Sequence, residues 1–347
     1  VIAMIDVVSM LVGYLISIGM ALWKYGYWAL VFAILVQATI KFVLAWSVSH
    51  WRPRLPSRNA QTWHLLRFGA HITVGNLMLS LARGADCLLI GRFFGAAAVG
   101  FYSRGSVLLL RPLQQFIIPI KAVLVPALSR IQSEPDRYRR TFLQVFEAIA
   151  LMSFLFAGLF LALSYPVTLA VLGPKWEAAA VIFAGFTIAA LAYPLTTASA
   201  WLFASQGRGK DWVLTNAIMS GVTLCSFLAG LPFGPAAVAI FYSASCILIQ
   251  LPFVYHIAGR RGPVTSKHLW IACLRHLPVW GVACGTAWLA RTFVLHANPW
   301  MQLFFCGPVA LLAGAAYIAV STPSRRVAIN LFSIIRELKN ARALTAA

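Results

Sequence analysis

Acidic side chains are scarce in this sequence: eight Asp and Glu stand against 28 Lys and Arg in 347 residues, and charged residues of both signs amount to only 10%. An ordinary soluble domain carries about a quarter of its residues charged, so this chain lacks the polar groups to cover a globular surface. With 61% of its residues hydrophobic, its solvent must be mostly lipid. Chemical motifs are missing too. The seven histidines form no H-E-x-x-H, and neither a G-x-S-x-G elbow nor a Walker A loop occurs, which excludes an energy-coupling ATPase within the chain. The six cysteines, Cys87, Cys225, Cys246, Cys273, Cys284 and Cys306, lie in apolar stretches without a C-x-x-C or a paired spacing. They read as small buried hydrophobes rather than metal ligands or disulfide partners. No catalytic residue, metal or cofactor is expected. A starting Met and a signal-peptide cleavage pattern are also absent, and Val1 already lies inside an apolar run; the reading is a fragment whose natural N-terminus lies upstream.

What is present is a net charge of +20. In a soluble protein that excess would suggest nucleic acid. Here the cations sit between apolar runs, so they set topology and meet anionic phospholipid headgroups instead, with no nucleic-acid partner. A membrane span needs about 20 apolar residues. Ten segments qualify: Ile2–Leu22, Tyr27–Ser49, Phe68–Gly91, Val99–Leu128, Thr141–Ser164, Ala178–Phe203, Trp212–Leu231, Ala236–Ile257, Leu269–Arg291 and Pro299–Val320. The fold class is therefore all-α, a polytopic membrane helix bundle of about ten transmembrane helices.

The loops alternate strictly between poor and rich in Lys and Arg. Lys24, Arg92, Lys175 and Arg291 stand alone in poor loops, and the turn at 232–235 has no charge. The rich loops hold Arg52 to Arg67, Arg130 to Arg140, Arg208 with Lys210, and Arg260 to Lys267, and the tail is basic as well. Since short cytoplasmic loops collect cations, both ends of the chain are expected in the cytoplasm. The basic stretch 50–67, twice broken by proline, suits a lobe-to-lobe connector or an ordinary long loop. Residues 330–342 suit a basic amphipathic helix on the membrane surface.

Charges inside spans are expensive and mark candidate sites. Arg83 and Asp86, three apart, share a helix face and can pair. Arg104 and Arg111 lie about two turns apart, and Lys121 falls within roughly a quarter turn of their stripe. Together Arg83, Asp86, Arg104, Arg111 and Lys121 form the candidate substrate-binding set: a hydrated cationic wall able to hold phosphate or pyrophosphate. Snorkelling cations and a structural Arg83–Asp86 pair are the plain alternatives. Lys41 and Asp6 read as interfacial anchors. Pro112, Pro119 and Pro126 invite kinks in the fourth span and Pro194 in the sixth. Gly91-x-x-x-Gly95 and Gly281-x-x-x-Gly285 offer close helix packing.

The run Arg83-Gly-Ala-Asp86-Cys-Leu-Leu-Ile-Gly91-Arg92-Phe-Phe-Gly95-Ala-Ala-Ala-Val-Gly100-Phe-Tyr102-Ser-Arg104, together with Leu172-Gly-Pro-Lys-Trp176 and Gly207-Arg-Gly-Lys210, resembles the signature of bacterial polysaccharide-transport flippases. These are the Wzx-like proteins of the multidrug/oligosaccharidyl-lipid/polysaccharide exporter superfamily, here nearest the exopolysaccharide and colanic-acid-type branch. The resemblance implies two six-helix lobes around a V-shaped cavity, plus an extra helix pair. On that map residues 1–49 end the N-terminal lobe, 50–67 link the lobes, 68–258 form the C-terminal lobe, and 259–347 hold the extra pair and the basic tail. The implied substrate is an undecaprenyl-pyrophosphate-linked oligosaccharide repeat unit for cell-surface polysaccharide (exopolysaccharide or lipopolysaccharide), moved by alternating access. Polysaccharide polymerase and assembly proteins are the implied partners. A multidrug or peptidoglycan-precursor exporter of the same superfamily is the nearest alternative, although cationic drugs would favour acidic cavity residues. A polytopic glycan polymerase or ligase, an enzyme, usually needs a long external loop, and none is present.

Overall fold

The structure, a computed structural model, describes residues 2–48, 63–295 and 297–327, with side-chain surroundings for 4–48, 84–295 and 297–327. Every regular element among the described residues is helical. Hydrocarbon offers no partner to a backbone N–H or C=O, so each segment must satisfy its own. In chain order the helices are α1 (Ile2–Leu22), α2 (Trp28–Val48), α3 (Trp63–Arg130), α4 (Pro135–Ala162), α5 (Ser164–Leu172), α6 (Glu177–Ser205), α7 (Gly209–Gly230), α8 (Pro235–Ser245), α9 (Leu251–Gly259), α10 (Ser266–Phe293) and α11 (Pro299–Val320). A π-helical turn, Cys246–Gln250, joins α8 to α9. Eight helical stretches among the described residues are long and apolar enough to cross a membrane. The expected ninth span, α10, is not among the eight; it is 28 residues long but carries Lys267, Arg275 and Arg291. The third and fourth expected spans both lie in α3. The short α5 was not foreseen; Leu163 breaks the α4 helix, and Pro166 sits in the first turn of the helix that follows.

The 68 residues of α3 would reach about 100 Å as a straight rod, three times the hydrocarbon thickness. Instead the chain doubles back at Gly95, which has φ 83° and ψ 175°, a region that only glycine occupies comfortably. The reversal is visible in the side chains. Tyr102 comes close enough to Asp86 to interact with it, and Ile90 shares a core with Tyr102 and Leu109. On a straight helix Asp86 and Tyr102 would stand about 24 Å apart. A first arm ending at Phe94 and a second arm from Ala96 to Arg130 thus form a helical hairpin. Gly173 (φ 93°, ψ 169°) and Gly234 (φ 99°, ψ 174°) adopt the same conformation before α6 and α8.

Two compact units divide the chain, 1–71 and 72–347. In the first, α1 and α2 pack as a pair. Lys41 and Asp6, read from sequence as separate interfacial anchors, instead form an ion pair at 2.6 Å. In the second unit α4 and α6 are the most buried helices. Phe142, Phe146 and Phe154 of α4 meet Leu195, Leu202 and Phe203 of α6 in one core. Glycine brings α10 against α4: a Cβ on Gly158 would stand 2.6 Å from the Trp280 carbonyl oxygen and 3.0 Å from the Cys284 nitrogen. Gly314 of α11 does the same against Leu155. The expected small-residue contacts lie elsewhere. Among the described residues, a Cβ on Gly281, Gly285 or Gly95 would meet nothing within 4 Å, and one on Gly91 would touch only Val99. The stretch 50–62 and the expected tail helix 330–342 lie outside the described residues.

Candidate functional site

The second arm of α3 has two unlike faces. Tyr102, Leu109, Leu113, Ile117, Leu124 and Leu128 are buried against the rest of the 72–347 unit. Arg104, Arg111 and Lys121 are exposed, and none has an acidic partner among the described residues. At about 100° per residue, Arg111 lies within about 20° of Arg104, on the side opposite the buried stripe, whereas Lys121 sits on its flank.

Three prolines add to that outer face. Pro112, Pro119 and Pro126 have no N–H, so the carbonyls of Leu108, Gln115 and Ala122, four residues earlier, lose their helical donors. By the same helical geometry these carbonyls fall within about 40° of Arg104. Two guanidiniums and three donor-poor carbonyls therefore share one strip. Hydrocarbon would leave both kinds of group unsatisfied, whereas water or a polyhydroxylated ligand would satisfy them.

Asp86 is set apart from these cations. Partly buried on the first arm, it accepts a hydrogen bond from the Cys87 N–H at 2.7 Å and neighbours the fully buried Tyr102, whose hydroxyl has no partner with hydrogen-bond geometry among the described residues. It has no cationic partner among the described residues. Arg83 lies on the first arm of α3, but its side chain, and so its expected pairing with Asp86, falls outside the described residues. The structure thus sets Arg104 and Arg111 on one exposed face about two turns apart, leaves Lys121 further along on the flank of that face, and turns Asp86 away from it. A separate apolar groove between α3 and α4 is lined by Leu113, Phe116, Met152 and Phe156, with no charged residue.

Two polar clusters escaped the sequence reading. In the first, Glu147 of α4 pairs with Arg275 of α10 at 3.1 Å and stands 3.9 Å from the Nε2 of the fully buried His276. The available signal was the rarity of acids: Glu147 is one of the few inside a span. In the second, Arg208 of the Gly207-Arg-Gly-Lys210 motif donates to the carbonyls of Ile257, Ala258 and Arg261 at 2.7–2.9 Å and pairs with Asp211 at 2.8 Å. One guanidinium thereby caps the end of α9 and fastens the α6–α7 turn to it. The other motif, Leu172 to Trp176, also has a packing reason: Trp176 meets Phe101 of the α3 hairpin edge-on at 5.6 Å.

Comparison with known proteins agrees with this architecture. The chain is 29% identical over 178 residues to the teichuronic acid biosynthesis protein TuaB of Bacillus subtilis, covering 50% of this chain and 36% of that protein. It is 26% identical over 206 residues to the amylovoran biosynthesis protein AmsL of Erwinia amylovora, covering 58% and 52%. Among solved structures it superposes on the lipid II flippase MurJ, in its inward closed conformation, with a TM-score of 0.71 at 14% identity, covering 91% of this chain and 65% of MurJ. The matched region thus spans about a third to a half of these two curated relatives, and the fold is the one MurJ has. Residues 1–181 match the model of the polysaccharide biosynthesis protein family, and with more than half its length so matched this multi-pass membrane chain belongs to that family.

Proposed function

We propose that the chain belongs to a flippase that moves an undecaprenyl-pyrophosphate-linked oligosaccharide repeat unit from the inner to the outer leaflet, for cell-surface polysaccharide biosynthesis. The observation that carries this reading is the outer strip of the α3 hairpin, where Arg104 and Arg111 alternate with the carbonyls freed by Pro112, Pro119 and Pro126. The substrate headgroup has two kinds of polar group, and the strip answers both. Guanidiniums hold diphosphate oxygens as planar forks, with Lys121 as a point charge, while donor-poor carbonyls accept from sugar hydroxyls. Arg83, on the first arm, is the remaining candidate for this wall, while Asp86 faces away from the strip. The prenyl tail stays in the bilayer.

No bond in the substrate need break, so the chain acts by alternating access and not as an enzyme. Family membership and the flippase fold support this reading, and the cationic strip disfavours a carrier of cationic drugs. The charge alternation of the loops supports an inner-membrane orientation with residues 52–67, 130–140 and 260–267 in the cytoplasm, where anionic phospholipids and polysaccharide-assembly proteins would meet them. Residues 1–49 would close an N-terminal lobe, 50–67 link it to a C-terminal lobe of 68–258, and 259–347 supply the extra pair and tail.

The test is complementation. Expressed as the full-length protein in a strain lacking the corresponding flippase, Arg111→Ala/Lys121→Ala should abolish surface polysaccharide with membrane abundance unchanged. Normal export by the double variant would sink the reading.

A further inference from the structure

Away from the cationic strip, a titratable cluster joins the C-terminal helices α10 and α11 to α4. His276 is fully buried within α10. Its Nδ1 lies 3.1 Å from the hydroxyl of Ser324, just past α11, and that hydroxyl accepts from Ser321 at 3.3 Å. Its Nε2 has no hydrogen-bond partner among the described residues and faces Glu147 Oε2 across 3.9 Å. The other carboxylate oxygen, Oε1, is taken by Arg275 at 3.1 Å. Glu147 is thus held on one side and open on the other, where an imidazole nitrogen stands about 1 Å too far away for a hydrogen bond.

We propose that Glu147 and His276 form a proton-binding site that tightens the docking of α10 and α11 onto α4 as pH falls. Neutral imidazole has one donor nitrogen and one acceptor, and imidazolium has two donors and a charge. Because the Ser324 oxygen already accepts from Ser321, its own hydrogen is free for Nδ1 of the neutral ring. On protonation Nδ1 donates instead, and the ring charge faces Glu147 Oε2, which pulls the 3.9 Å gap shut and gives both carboxylate oxygens a cationic partner. Histidine is the side chain whose charge ordinarily changes between pH 5 and 8.

Among the described residues, the surroundings contain little that would compete. Beyond Arg140, Glu147 is the one charged residue of α4, and Arg140 reaches back to the Asp136 carbonyl. Helix α11 carries no Asp, Glu, Lys, Arg or His. On α9, which also packs on α10, the titratable groups are Tyr255, edge-on to Trp270, and the exposed His256. Arg325 and Arg326, beside Ser324, are exposed. This site does not depend on what the strip on α3 binds.

The experiment is thermal unfolding of the full chain in nanodiscs at pH 6 and pH 8, for the parent, His276→Gln and Glu147→Gln. The parent should melt higher at pH 6 by about 2 °C or more, beyond any pH trend that the variants share, and both variants should lose that extra shift. A parent-like shift in His276→Gln overturns the proposal. If His276→Gln does not accumulate, Glu147→Gln decides alone: it keeps the imidazole and the side-chain volume, so a retained shift overturns the proposal and a lost one supports it.

Discussion

Asp86 and Arg104 stand nine residues on either side of Gly95, at matching depth in the α3 hairpin, yet they face different surroundings: Asp86 approaches the buried Tyr102 while Arg104 is exposed. Opposite charges at the same level of neighbouring helices would be expected to pair, and the geometry keeps them apart. A double-mutant cycle of Asp86→Asn and Arg104→Gln, read by thermal unfolding, should therefore be additive to within about 0.5 kcal/mol. A coupling of about 1 kcal/mol or more would mean that they do pair, and would remove Arg104 from any substrate wall.

The glycines make a paired prediction. Gly158→Ala places a methyl against the Trp280 carbonyl and should destabilise by about 1–3 kcal/mol, because two helix backbones must separate. Gly281→Ala and Gly285→Ala add a methyl in open space and replace a poor helix former, so they should be neutral or stabilising by up to about 1 kcal/mol. Melting of the three variants in nanodiscs ranks them, and a reversed order would contradict the α4–α10 crossing.

Why the sequence pointed to the wrong glycines has a physical answer. Spacing within one helix shows which residues share a face, but not which helix comes to that face. Among the described residues no atom lies within 4 Å of a Cβ added at Gly281 or Gly285, while Gly158, with no glycine four residues away, meets a helix more than 120 residues further on. The Glu147–Arg275–His276 cluster was hidden for the same reason, since its members are 128 residues apart. What depends on local composition was readable. The bounds of α1 and α11 coincide with apolar runs ended by turn residues, and the break between the third and fourth spans falls around Gly95. The spacing of Arg104 and Arg111 placed them on one face, as the structure does, whereas the inward turn of Asp86 depends on the fold of the hairpin.

Arg208 should not tolerate a conservative change. Its side chain is only 12% exposed and donates at once to three carbonyls around the end of α9 and to Asp211. Lysine keeps the charge but not the planar fork. Arg208→Lys should cost about 1.5–3 kcal/mol, since buried carbonyls are left without donors. Limited proteolysis should then cut within 206–211 or 260–263 faster than in the parent. Unchanged cleavage would mean that the cap contributes little.

The last prediction concerns sidedness and follows from counting crossings. Between Lys175 and Arg261 the chain passes through α6, then α7, then the continuous run of α8, the π-helical turn and α9. All three are long and apolar enough to span a membrane. Three crossings put the two residues on opposite faces, and the charge alternation favours Lys175 as the outer one, because its loop holds one cation while 260–267 holds three. In a background with the six native cysteines replaced, Lys175→Cys should react in intact cells with a membrane-impermeant maleimide. Arg261→Cys should react only after the membrane is opened. Labelling of both in intact cells would mean that one of the three helices does not cross. If Arg261→Cys alone reacted, the crossing count would survive and the orientation would be inverted, placing the cation-rich loops on the outer side against the rule that motivates the assignment.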